Sequence, residues 1–212
     1  MIRLFVMACA LLPLHAEIVD RIAITAGRQV ITELQLDEEL RVAAFLNHQP
    51  IARDANARRA AADRLIEQLL IKRDLDLSHY PPPSPAAIDE FMEQVRAATP
   101  GSGDFDEALG KYNLDQTILR EHLAMQLTIL QFIEFRFRPD LGVSPTDIEN
   151  YHQGELARWK AEHGGAKPPT LANSRESIRK ALTEQRTDEA LDAWLAESRK
   201  QVAIVYLDKT LE

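Results

Sequence analysis

The last part of the chain, from Ser174 to Asp208, reads SRESIRKALTEQRTDEALDAWLAESRKQVAIVYLD. Its first part contains no proline or glycine and many helix-favouring residues, which predicts one long helix. Val202 to Leu207 is too short for a helix of its own and is rich in β-branched and aromatic residues, so we expect a strand. Because a terminal strand needs a partner for its backbone N–H and C=O groups, we expect it to pair with Ile18 to Thr25, near the start of the chain.

Helix-start signals recur between these two strands. After the first strand come a turn at 26–29, a short extended segment at Val30 and Ile31, and Thr32, which forms a capping-box pattern with Gln35. The helices are predicted from Thr32 to about Leu46, from Asp54 to the break at Ser78, from Pro85 to Ala98, from Phe105 to Lys111, from Asn113 or Asp115 to Arg138, and from Ser144 to about Ala161. We therefore predict a mainly α fold with a small β-sheet that pairs the N-terminal strands with the C-terminal strand.

Composition and charge limit the classes of function. The chain has 212 residues, of which 45% are hydrophobic and 27% charged, as is ordinary for a globular protein. Its formal net charge of −8 gives no support to nucleic-acid binding. The length suits one sizeable domain.

The first sixteen residues have the pattern of a secretory signal peptide. Arg3 is followed by the apolar run Leu4 to Leu14 and by Ala16 at the expected cleavage position. That run is shorter than the roughly 20 residues of a membrane span, and charged residues along the later long helix exclude an integral span there. We expect an exported protein with a signal peptide at 1–16 and a single domain at 17–212. Within it we expect a helical core at 32–161, a linker at 162–172, and a returning helix and strand at 174–208.

No motif for catalysis or metal binding stands out. The five histidines after the signal peptide, His48, His79, His122, His152 and His163, are not spaced as metal ligands on one helix face, so we expect solvated or capping roles. The only cysteine, Cys9, lies in the predicted signal peptide, and the chain has no GxSxG, P-loop or GxGxxG motif. We expect no enzyme activity, no cofactor and no metal.

The long helix that ends near Arg138 is apolar over much of its circumference. Ile118, Met125, Ile129 and Phe132 form one stripe, and a leucine-rich stripe lies beside it. Two interpretations stay open. The helix is either the centre of the core, or it leaves part of its apolar surface open to hold an extended polypeptide.

The order of segments resembles that of the SurA-type periplasmic chaperones. The opening IVDRIAITAGRQVITELQLDEEL, the helix RRAAADRLIEQLLIKRDLDL, the run Val143 to Tyr151 and the ending LDAWLAESRKQVAIVYLD are each similar to a segment of that family, in the family's order. The resemblance covers essentially the whole chain after the signal peptide. It implies a SurA-like chaperone core.

One departure from that family concerns catalysis. SurA-type foldases carry parvulin-type prolyl isomerase domains between the helix that follows the Val143 run and the returning helix. Here only Glu162 to Ala172 occupies that place, and no parvulin signal occurs elsewhere. The resemblance therefore implies a chaperone core without the isomerase and supplies no catalytic residue.

The resemblance also implies a function and partners. It implies ATP-independent binding of unfolded outer-membrane polypeptides in the periplasm. The residues that we expect to line the binding groove lie on the long helix and the helix after it: Met125, Ile129, Phe132, Phe135 and Trp159. The alternatives are a foldase related to peptidyl-prolyl isomerases, and a periplasmic assembly or scaffold protein that binds one fixed partner or forms a homo-oligomer.

Overall fold

The computed structural model of this protein describes residues 20–101, 104–137, 142–163 and 170–211. Within these ranges the strands are β1 (Ile22–Ala26), β2 (Gln29–Thr32) and β3 (Ile204–Tyr206). The helices are α1 (Glu33–Leu46), α2 (Ala55–Ser78), α3 (Pro85–Ala98), α4 (Phe105–Gly110), α5 (Gln116–Arg136), α6 (Pro145–His163) and α7 (Leu171–Lys200), and a 3₁₀ turn covers Lys209–Leu211. The fold is mainly helical with a small sheet, which confirms the predicted class. The predicted signal peptide, residues 18 and 19 of the predicted first strand, and Arg138 lie outside the described residues.

The sheet joins the two ends of the described chain. Its order is β2-β1-β3, and both pairings are antiparallel. Thr25 of β1 lies opposite Val30 of β2 on one side and Val205 of β3 on the other. The predicted pairing of the terminal strands is therefore confirmed, with β3 limited to three of the six predicted residues.

The turn between β1 and β2 depends on a glycine. Ala26 pairs with Gln29, which leaves a two-residue turn that starts with Gly27 at φ +62°. Side-chain-bearing residues rarely adopt this conformation, and glycine adopts it without a steric penalty. The Gly27 N–H donates to the Ala203 carbonyl at 2.9 Å, so the same turn also holds the chain just before β3.

Side-chain caps start the helices where the sequence predicts them. The Thr32 hydroxyl accepts from the Gln35 N–H at 3.3 Å, and the Gln35 side chain accepts from the Thr32 N–H at 2.9 Å. These two bonds form the predicted capping box. Side-chain caps also stand at the predicted starts of four further helices: Asp54 for α2, Ser84 just before Pro85 for α3, Asp104 just before Phe105 for α4, and Asp115, one of the two predicted starts, for α5.

The connection between α6 and α7 is shorter than the linker predicted at 162–172. Helix α6 extends to His163, and α7 begins at Leu171 with Thr170 as its cap. The Thr170 hydroxyl accepts from the Asn173 N–H at 3.4 Å. Because Leu171 and Ala172 are good helix formers directly behind a capping threonine, the helix starts as soon as the prolines end.

The buried apolar residues form three clusters. The sheet cluster consists of Ala23, Ile24, Ile31, Leu36, Leu40, Ala61, Ala62, Ile66, Leu70, Leu195 and Leu211. The α3–α5 cluster consists of Val42, Phe45, Met92, Phe105, Leu109, Leu114, Leu119 and Leu123. The aromatic cluster has Ile71, Leu75 and Phe132 at its centre, with Tyr80, Ile129, Ile133, Phe137 and Trp194 packed around them. Helix α2 contributes to the first and third clusters, and α5 to the second and third, so these two helices connect the core.

Candidate functional site

Phe132, one of the five predicted groove residues, belongs to the core. Its side chain is buried, with its ring centroid 5.2 Å from that of Trp194 and 5.8 Å from that of Phe137. Leu119 and Leu123, one and two turns into the same helix, are completely buried in the α3–α5 cluster. For this part of α5 the core interpretation of the apolar helix is correct, because its neighbours already cover the apolar face.

The C-terminal end of α5 is different. Phe135 is 60% exposed, and its ring centroid lies 4.9 Å from that of Tyr80, which follows the end of α2. Leu130 on α5 and Leu77 on α2 are also large apolar residues with most of their surface in solvent. We call Leu77, Leu130 and Phe135 the α2–α5 surface. Apolar side chains that stay in solvent can bind another molecule by burial.

Met125 and Ile129 lie between these two extremes. Both are half-buried on α5, and Ile129 packs against the aromatic cluster. Their partial exposure leaves some apolar area open along the helix between the α3–α5 cluster and the α2–α5 surface.

Trp159, the fifth predicted residue, lies on another surface. It is on α6 and lines a cleft of about 330 Å³ between α6 and α7. The described residues that line this cleft are Tyr151, His152, Glu155, Leu156 and Trp159 from α6, and Ser174, Ser177, Ile178 and Ala181 from α7. The structure thus places the five predicted residues in the core, on the α2–α5 surface and in the α6–α7 cleft, and not in one groove.

Helical spacing explains how the cleft forms. Tyr151, Glu155 and Trp159 follow each other at intervals of four residues, so they lie along one face of α6. Ser174, Ser177 and Ala181 lie on the facing side of α7, and their small side chains leave space between the two helices. The cleft is in the size range of small ligand sites, about 300–1,000 Å³.

The residues of α7 that line the cleft were not found from the sequence. Ser174, Ser177 and Ile178 contain no motif, and the partner face on α6 becomes visible only when the two helices are antiparallel neighbours. The available signal was the helix–Gly-Gly–Pro-Pro–helix order at 145–200, which predicts a helical hairpin and therefore two facing stripes. His152 was expected to be solvated or capping, and that expectation is wrong, because only 8% of the residue is exposed.

A buried polar cluster joins α1, α2 and α5. Glu39 is buried on α1, and its carboxylate accepts from Arg64 Nε of α2 at 2.6 Å. Its other oxygen lies 3.5 Å from Nδ1 of His122 on α5, whose Nε2 is 3.1 Å from Gln126. Burial lowers the pKa of His122, and the Arg64 charge lowers it further, against the opposing effect of Glu39. Because its side chain is only 14% exposed and faces Glu39, His122 does not have the solvated or capping role expected from the sequence.

This cluster connects three helices through paired polar side chains. Glu39 pairs with Arg64 and faces His122, and Arg64 also lines a shallow cavity between α1 and α2. Among the described residues, no three His, Cys, Asp or Glu side chains are grouped so that they could hold a metal ion. The candidate site is therefore the pair of partly apolar surfaces, which can bind a ligand by burial and hydrogen bonding.

Comparison with known proteins adds no relative to this description. No family model matches the sequence, and no curated protein matches it. Within the part of the chain that the structure describes, no helix is both long enough and apolar enough to cross a membrane.

Proposed function

We propose that this protein is an ATP-independent chaperone of the periplasm that binds unfolded, apolar segments of outer-membrane proteins and has no isomerase activity. The sequence resemblance to the SurA-type chaperones and the predicted signal peptide suggest this function. The observation that carries the proposal is the exposed apolar end of α5, where Phe135 and Leu130 are 60% and 53% exposed.

Such a surface suits the binding of unfolded chains. Unfolded membrane-protein segments expose apolar strands that aggregate unless they are shielded. Burial of apolar surface contributes roughly 25 cal/mol per Å² and is non-directional, so one surface accepts many sequences. The half-buried Met125 and Ile129 extend the accessible apolar area along the same helix.

The short connection between α6 and α7 supports a function without isomerisation. The place where SurA-type foldases insert parvulin domains is spanned here by residues 164–170 alone. A segment of this length cannot bury enough surface to fold as a domain. We infer that the protein holds its clients and does not catalyse a covalent or conformational reaction on them.

The proposal is tested by adding the purified protein to an outer-membrane β-barrel protein diluted from urea and measuring light scattering. We expect suppression of aggregation without ATP. A Phe135→Gln and Leu130→Gln double variant should suppress aggregation several-fold less while unfolding at nearly the same urea concentration as the wild type, because both side chains are largely exposed.

Leu34→Gln is the matched control. Leu34 is 50% exposed on α1, so the substitution removes a comparable exposed leucine away from the α2–α5 surface. If Leu34→Gln weakens suppression as much as the double variant, or if the wild type does not suppress aggregation, the proposal is wrong. Turnover of a proline-containing peptide in an isomerisation assay would favour the foldase alternative, and a tight dimer without suppression would favour the scaffold.

A further inference from the structure

The α6–α7 cleft contains a buried polar side chain that lacks a partner. His152 is 92% buried, since 8% of the residue is exposed, and it lines the cleft. Its ring makes no hydrogen bond or ion pair with any residue in the described ranges. In the part of the chain that the structure describes, Arg96 Nε is the only fully buried side-chain polar atom without a partner, so the ring nitrogens of His152 are accessible and are available to hydrogen-bond a ligand in the cleft.

The other polar groups of the cleft favour a ligand that donates hydrogen bonds. Glu155 contributes a carboxylate, and the hydroxyls of Ser174 and Ser177 contribute further acceptor oxygens. The Ser177 hydroxyl already donates its proton to the Ser174 carbonyl at 2.8 Å, which leaves its lone pairs to accept. No lysine or arginine is among the described residues that line the cleft. Among these described residues, an anionic ligand would therefore meet a carboxylate and no cation.

Glu155 is available to a new partner. It pairs with Arg158 at 2.9 Å, in the same helix, and both side chains are substantially exposed. Exposed ion pairs of this kind contribute about 0–1 kcal/mol, so a ligand cation can replace Arg158 at little cost. The helix dipoles do not oppose the binding of a cation beside Glu155. The C-terminal part of α6 meets the N-terminal part of α7 there, and the partial charges of the two helix ends counteract each other.

The apolar part of the cleft suits a flat cation on a flexible stem. Tyr151 and Trp159 contribute aromatic rings, which attract cations through their π faces, and arginine guanidinium groups stack on such rings. Leu156, Ile178 and Ala181 provide apolar contacts for a methylene stem. The net charge of −8 attracts positively charged segments to the protein as a whole.

We propose that the α6–α7 cleft binds an arginine side chain of the extended client polypeptide, with its guanidinium against Glu155, His152 and the aromatic rings. This deepens the proposed chaperone function and rests on it for the nature of the client. The cleft then selects client segments in which an arginine lies beside apolar residues, while the α2–α5 surface holds apolar residues without selecting among them.

The test uses peptides that differ at one side chain. An extended apolar peptide with one central arginine is compared with the same peptide carrying citrulline, which has nearly the same shape and no charge, and with a third carrying norleucine. Binding to the wild-type chain is measured by calorimetry. It is also measured by Trp159 fluorescence in a Trp194→Phe variant, because the chain has two tryptophans.

We expect the arginine peptide to bind at least tenfold more tightly than the other two and to lose affinity as salt is added. Glu155→Gln should remove most of this difference. Glu149→Gln is the matched control, because Glu149 is exposed on the same helix and does not line the cleft. Equal binding of the three peptides, or equal effects of the two glutamate variants, would overturn the proposal.

The outcomes separate this proposal from the chaperone function. Aggregation suppression with no preference for arginine leaves the chaperone function standing and rejects the arginine site. A Glu155-dependent preference for arginine without aggregation suppression supports the cleft site and rejects the chaperone function.

Discussion

The two halves of α7 contact different parts of the molecule. Toward its C-terminus, Leu195 is buried in the sheet cluster, Trp194 packs against Phe132, and Arg199 pairs with Asp63 and Glu67 of α2 at 3.1 and 3.0 Å. Toward its N-terminus, α7 packs mainly against α6, with the cleft between them. Among the described residues, one continuous helix thus contacts several distant segments at one end and mainly α6 at the other.

The side chains explain this difference. The C-terminal half has large apolar residues at Leu191, Trp194 and Leu195, which reach the sheet and α2. The N-terminal half faces α6 with serines and an alanine, which are too small to fill the space between the helices. Segments with few buried contacts open locally at low free energy, and ligand-binding segments are commonly of this kind. The C-terminal half of α7 therefore contributes mainly to stability, and the N-terminal half leaves space in which a ligand can bind.

The largest expected effect is a loss of free energy of unfolding. It is measured for one buried residue in each half of α7. Leu195→Ala should lower the free energy of unfolding by about 3 kcal/mol, because it leaves a cavity in the sheet cluster. Ile178→Ala should cost about 2 kcal/mol, the low end for such changes, because Ile178 already lies beside open space. Urea unfolding measures both. If Ile178→Ala lowers the free energy of unfolding more than Leu195→Ala does, the C-terminal half of α7 is not the more stabilising half.

A smaller effect on the free energy of unfolding is expected at the ion pairs that connect the C-terminal segment to α1 and α2. We call these contacts of Asp208, Arg58 and Glu33 the joint. Asp208 accepts from the Thr210 N–H at 2.9 Å, from the Thr210 hydroxyl at 2.7 Å and from Arg58 at 2.6 Å, and Arg58 also pairs with Glu33 at 2.8 Å. The hydrogen bonds from Thr210, together with Arg58, lower the pKa of Asp208 from 3.8 to about 2. A lowered folded-state pKa means that this stabilisation is complete above pH 3.8 and is lost as the pH falls toward 2.

Asp208→Asn should therefore destabilise the protein by about 1 kcal/mol at pH 7, because the joint is partly exposed to solvent. The difference between wild type and variant should shrink as the pH falls from about 4 to about 2. Urea unfolding at several pH values measures it. A difference that is constant over this range would show that the ionised carboxylate does not stabilise the joint.

The smallest effect on global stability is expected where α7 contacts the start of α6. Arg186 pairs with Asp147 at 2.9 Å and donates to the Gly142 carbonyl at 2.5 Å. Asp147 is solvated and also accepts from the Ser144 N–H and hydroxyl, which lower its pKa more than Arg186 does. Arg186→Ala should leave the urea midpoint unchanged and speed hydrogen exchange of α6 amides without changing that of α2. Faster exchange in both helices would mean that the two halves of α7 unfold together.

Local signals in the sequence located most of the elements. Thr32, Asp54, Ser84, Asp104 and Asp115 cap helices at their predicted starts, because a cap depends only on residues two or three positions apart. Helix α7 begins at Leu171, three residues before the predicted Ser174, because Thr170 caps it. The sequence predicts the site residues less accurately than the helices. Phe132 and Phe135 are the same residue type on the same helix, yet Phe132 is buried and Phe135 is exposed.

The sequence by itself determined the helices, the hairpin turn at Gly27 and the strand character of Ile204 to Tyr206, because these depend on neighbouring residues. Even the pairing of β3 with β1 was predictable, since a terminal strand requires a partner. Only the tertiary structure decided that His152 is buried, that Trp159 faces α7 instead of α5, and that Phe135 stays in solvent. These properties depend on which distant segments come to lie together, and no local pattern of residues specifies that.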